Sequence, residues 1–160
     1  MILSDTSALG TFTPVGWDSL ASSLGCSQKV SQGKRANGAH YLTEYLPRDQ
    51  STAHHTRSFT ITVYPLPEDS FEAADHAEAI LESMAAAARQ AGATFRECVT
   101  IPMAFGNAAF FDYSSADQHT VAAAVPAPAN TLTVYELTTS NGAIPSLADV
   151  LVIRSLTAPK

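Results

Sequence analysis

Along residues 40 to 66, HYLTEYLPRDQSTAHHTRSFTITVYPL, apolar and polar positions alternate in two segments, 41 to 46 and 58 to 64, around a polar middle. In the second, Phe59, Ile61 and Val63 alternate with Thr60, Thr62 and Tyr64. A period of two in β-prone residues predicts strands, and Pro65 and Pro67 stop the second one. The period then changes. From Ser70 to Ala91, Phe71, Ala74, Ala77, Leu81, Met84 and Ala88 form one stripe, with Glu72, Asp75, Glu82 and Arg89 on the opposite side. That spacing predicts an amphipathic helix close against a sheet. Asp69 three residues before Glu72 opens it as a capping box, and Gly92 is placed to close it. Strands return at 95–101, 108–113, 119–125 and 131–137, separated by turn residues such as Gly106-Asn107 and Asp117-Gln118, with PAPAN (126–130) as a hairpin loop. Connectors this short imply an antiparallel meander.

The two ends are less regular. Trp17, Leu20 and Leu24 fall at i, i+3 and i+7 before Gly25, which predicts a short helix lying as a lid on the core. CSQKVSQGKRANGAH (26–40) is polar and glycine-containing, and reads as a turn or hairpin tip. Near the C-terminus, Ser146 and Asp149 make a second capping box before VLVIRSL, which favours a helix even though Val150, Val152 and Ile153 suit a strand equally well. The expected order is β-β-α-β-β-β-β-α. This is an α+β domain spanning 1–160, with an antiparallel sheet of about six strands, one long covering helix and a C-terminal helix, and with 1–39 as a less regular N-terminal segment.

The stretch LTEYLPRDQS, followed after a polar gap by SFTITV, resembles a signature of small bacterial PsbP-like domains, in which a Glu-Tyr-x-Pro strand end precedes a Thr-containing strand. The long helix, the aromatic strand around AAFFDY and a C-terminal strand then helix follow in the same order, so the resemblance covers roughly residues 40 to 156. The tryptophan those domains often carry before the Thr strand is absent, and His55, Thr56 and Arg57 stand there instead. The resemblance implies a sandwich fold and a non-catalytic accessory or protein-binding role. It carries over no catalytic residue.

Composition narrows the partners. Acidic residues outnumber basic ones 15 to 9, for a net charge of −6, and no basic cluster is denser than Lys29, Lys34 and Arg35. A phosphate backbone is repelled by such a chain, so nucleic acid is not expected, whereas a basic protein would be steered toward it. No apolar run approaches the length that crosses a bilayer, and MILSDTSALG has no basic segment followed by an apolar one. The expectation is a soluble chain. A mature domain stripped of an export signal would begin the same way, so cytoplasm and periplasm both stay open, and nothing sets the oligomeric state.

Candidate chemistry is thin. Adjacent His54 and His55 point to opposite sides of an extended chain, which suits a solvated loop better than chelation. Glu72 and His76 share a helix face at i and i+4 and offer two ligands of a divalent ion. Cys26 and Cys98 match no zinc or CxxC spacing; they read either as two buried thiols or as a disulfide from the N-terminal segment to the sheet. Cys98, near Arg96, is also a candidate nucleophile with His119 or His40 as base. No GxSxG, P-loop or GxGxxG occurs. Phe110, Phe111, Tyr113 and Tyr135 can line a groove or pack a core, and Tyr41, Tyr45 and Tyr113 are the expected exposed aromatics because their same-face neighbours are polar. The functional expectation is a non-catalytic protein-binding module, without cofactor, of a bacterial envelope or secretion-associated system: an adaptor, chaperone or immunity protein binding through Tyr41, Tyr45, Tyr113 and Tyr135. The alternative is a small hydrolase or metal-dependent enzyme using His76 with Glu72, or Cys98.

Overall fold

The computed structural model describes residues 16–34, 40–103, 106–127, 130–140 and 143–157. Among these, three helices and seven strands follow one another: α1 (16–23), β1 (Gln28–Lys34), β2 (Tyr41–Leu46), β3 (Arg57–Pro65), α2 (Ser70–Gln90), β4 (Thr94–Met103), β5 (Gly106–Ser115), β6 (Gln118–Ala127), β7 (Thr131–Thr139) and α3 (Leu147–Ser155). All strands join one antiparallel sheet in the order β1-β2-β3-β7-β6-β5-β4. The fold is α+β, as the alternation predicts, with β4 to β7 as the meander and the β3–β7 pairing joining it to the N-terminal strands.

The seventh strand corrects the reading of 26–40 as a turn. β1 has a single apolar residue, Val30, and its ladder slips between Lys29 and Ser31. An edge strand pairs along one side only and need not bury an alternating face. The Asn37-Gly38 turn lies outside the described residues.

Helix ends form where the sequence marks them. Gly25 and Gly92 have φ of +77° and +84°. Cys26 N–H donates to Ala21 O and Ala93 N–H to Ala88 O, so both glycines close a Schellman motif. Asp69 caps α2 through the Glu72 N–H at 3.1 Å. Ser146 and Asp149 complete both arms of the box on α3, which settles that segment as helix.

Alternation along the strands separates two cores. Phe59, Ile61, Phe110, Val121, Ala123 and Leu137 meet α1 through Ala21 and Leu24 and α3 through Ile153. Ala109, Phe111, Ala122, Ala124, Leu132 and Val134 meet α2 through Leu81 and Ala85. The domain therefore has three layers, with α1 and α3 on one face of the sheet and α2 on the other. The buried stripe of α2 starts at Ala73, not Ala74, which is exposed; the side chain of Phe71 lies outside the described residues.

Candidate functional site

Register places seven residues in one row across the α2 side of the sheet: Ser31, Glu44, Thr60, Glu136, Ala122, Phe111 and Cys98. The row changes character midway. Ala122 and Phe111 lie in the core under α2, while Glu44, Thr60 and Glu136 are only partly buried. The neighbouring row, Tyr113, Thr120, Thr138 and Ser58, repeats the pattern. Helix α2 thus covers the apolar half of this face and leaves a polar half beside it.

A groove of about 470 Å³, open to solvent, runs along that flank of α2, between His76, Ile80, Ser83, Met84 and Ala87 on the helix and Tyr64 on β3. The His40 ring lies 5.4 Å from the Tyr64 ring. Thr120 and Thr138 hydroxyls bond each other at 3.1 Å. Glu136 shares the face of Val134 and Leu132, and among the described residues nothing donates to its carboxylate. Burial raises its pKa above the ordinary carboxylate value. Burial first, and the nearby Glu136 charge second, push the Tyr64 and Tyr113 phenols up. A desolvated carboxylate without a partner costs free energy that a cation could recover.

No family model matches the chain, and no curated protein matches it in sequence.

The four tyrosines expected to form one surface are divided between the faces. Tyr41 and Tyr45 are 8% and 2% exposed and point toward α1, where Tyr45 OH donates to Asp18 at 2.7 Å. Tyr135 joins the same core and accepts from Trp17. The expected exposure of Tyr41 and Tyr45 is corrected: their polar same-face neighbour, Thr43, is itself fully buried. Tyr113 alone stands on the α2 face, partly open.

His54 and His55 lie in the loop between β2 and β3, tied by His54 N–H to Ser51 O at 3.1 Å and by His55 Nδ1 at 3.1 Å from Ser51 O. His76 lines the groove, but Glu72 is exposed on the first turn of α2, and among the described residues no group of three or more His, Cys, Asp or Glu side chains converges as a metal site.

Both cysteines are free, Cys26 buried and Cys98 exposed, so neither the disulfide nor a second buried thiol is found. The edge position of β4 explains the exposure. His119 cannot serve Cys98 as a base, because it lies on the opposite face, where its Nε2–H donates to the buried Asp112 carboxylate at 2.6 Å with Arg96 3.8 Å away. His40 precedes β2, five strands from β4 in the sheet order, or roughly 24 Å at about 4.8 Å per strand.

Glu136 and Tyr64 were not singled out by sequence reasoning. The available signal was Leu132, Val134, Glu136: a charge at the third position of an otherwise apolar strand face. The outer side of α3 is a second surface feature, with Ile144, Leu147 and Leu151 exposed.

Proposed function

We propose that the chain is a non-catalytic protein-binding module of PsbP-like build, acting as an adaptor, chaperone or immunity protein in a bacterial envelope or secretion-associated system. The observation that carries this reading is the half-covered α2 face: a groove with apolar walls at Ile80 and Met84, a tyrosine at Tyr64 and a polar sheet surface beside it. Grooves that combine aromatic anchors with a polar rim are suited to a protein segment. The net charge of −6 favours a basic one.

A photo-crosslinking residue in place of Ser83, inside the groove, tests the reading in the cells that make the protein. The expected result is one defined protein adduct from position 83 and none from the same residue placed at the exposed Asp49 in the β2–β3 loop. Turnover of an ester, peptide or phosphate by the purified chain, abolished by Cys98→Ala or His76→Ala, would replace this reading with the enzymatic one.

A further inference from the structure

The geometry points to a specific anchor on the polar sheet surface beside this groove: a lysine side chain of the partner, its ammonium held by the Glu136 carboxylate with the hydroxyls of Thr60 and Thr138 beside it. The inference rests on the protein-binding reading and deepens it.

Three observations converge on an ammonium. Thr60 is the direct cross-strand neighbour of Glu136, and Thr138 is two residues along the same strand face. An ammonium is a compact charge with three donors, and the two carboxylate oxygens with two flanking hydroxyls offer acceptors enough for all three. Thr138 is engaged by Thr120, which leaves its oxygen an unused lone pair. Next, Glu136, partly buried, has no counter-ion among the described residues, whereas the buried carboxylates have partners: Asp149 pairs with Arg57, and Asp112 has Arg96 at 3.8 Å and a hydrogen bond from His119. Finally, Ile80, Met84 and Ala87 provide an apolar wall along the groove. A lysine can lay its methylene stem along such a wall while its charged head reaches the sheet surface beside it, where Glu136 lies close enough to Tyr64 for its charge to act on that phenol.

The remaining charges near this surface agree in sign. Glu44 lies in the same row as Glu136, one strand beyond Thr60. The two carboxylates sit two strands apart, roughly 10 Å at about 4.8 Å per strand. They can attract one basic segment without sharing one proton. On the α2 wall His76 is the titratable group that lines the groove.

The probe is N-acetyl-lysine methylamide, titrated into the isotope-labelled full chain and followed by amide chemical shifts. Saturable shifts are expected at Thr60, Glu136, Thr138 and Met84, and none of that pattern with the norleucine analogue, which keeps the stem and lacks the charge. Glu136→Gln should weaken the lysine probe by about tenfold, equivalent to about 1.4 kcal/mol. Equal binding of the norleucine analogue, full binding by the Glu136→Gln chain, or no shifts in the groove would each overturn the assignment. The two readings fail separately. A partner crosslinked from position 83 and still captured by the Glu136→Gln chain leaves the binding module standing without its lysine anchor. Binding of the probe with no crosslinked partner leaves the ammonium site standing without the module.

Discussion

Arg57 and Asp149, 92 residues apart in sequence, meet at 3.0 Å, and the same guanidinium nitrogen donates to the Leu24 carbonyl at 3.0 Å. Asp149 Oδ2 also accepts the Ser146 N–H that begins α3. One ion pair therefore ties the end of α1, the start of β3 and the cap of α3 on a single face of the sheet.

Asp149→Ala removes the counter-ion and one arm of the capping box together, and leaves Arg57 partly buried without a charge partner. A fully buried pair broken in this way costs roughly 3–5 kcal/mol, and the partial exposure of Arg57 reduces the expectation to about 2–3 kcal/mol. Urea unfolding at pH 7 measures it. A loss under about 0.5 kcal/mol, the size of an ordinary surface change, would show that the pair does not hold the layers together.

Glu136 makes the opposite prediction. Its folded pKa is raised by burial, so the unfolded chain releases this proton first as pH rises. The stability tied to its neutral form is complete below the unfolded value of about 4.3 and is lost as pH rises through the folded one. Glu136→Gln should therefore raise the urea midpoint at pH 7 and leave it unchanged near pH 3.5, where both chains are neutral at this position. A variant less stable than the parent at pH 7 would mean that the carboxylate has a partner in the free protein.

How much of this was legible beforehand depends on what each side chain faces. Strands β2 to β7 were readable because each turns an alternating face toward the core, only half-buried in β4, and Phe59, Ile61 and Val63 announce theirs directly. Strand β1, at the edge with Val30 as its one apolar residue, carries no such period. Alternation assigns residues to two faces but does not say which helix covers which. Tyr41 and Tyr45 looked exposed because Thr43 between them is polar, yet α1 packs against both tyrosines and Thr43 is itself fully buried. Glu136 gained meaning only once register set it beside Thr60 and outside the α2 footprint.

Thr43 also yields a stability prediction. Its hydroxyl is buried and, among the described residues, lacks a hydrogen-bond partner. Leaving such a group unpaired costs roughly 1–3 kcal/mol, so Thr43→Val, close in shape, should stabilise the fold by about 1 kcal/mol. A destabilised variant, read from the thermal midpoint, would reveal a bound water or another acceptor at that site.

The two thiols should separate in reactivity. Burial raises the Cys26 pKa to about 12, with the Arg57 charge opposing it only in part; the thiolate is the reactive form. At pH 8 a disulfide reagent should label one thiol quickly in the native chain, and none quickly after Cys98→Ser, with Cys26 reacting once urea is added. The linkage has the same origin. Above about pH 8.5 the unfolded Cys26 ionises while the folded one does not, so its contribution to stability falls as pH rises toward 12. Two equally fast thiols in the native chain would contradict the packing of Cys26 between α1 and the sheet.

Helix α3 contrasts two residues one half-turn apart. Ile153 is fully buried against the sheet, while Leu151 is 56% exposed on the outer side. Ile153→Ala removes methylenes from a packed core and should cost roughly 2–5 kcal/mol. Leu151→Ser removes as many carbons from a site that water already reaches, and should change stability by about 0.5 kcal/mol or less. Hydropathy alone ranks the two alike, so the difference comes entirely from the orientation that the Ser146–Asp149 cap and the Arg57 pair impose on the helix. Equal losses for the two variants would place the helix in a different rotation about its axis.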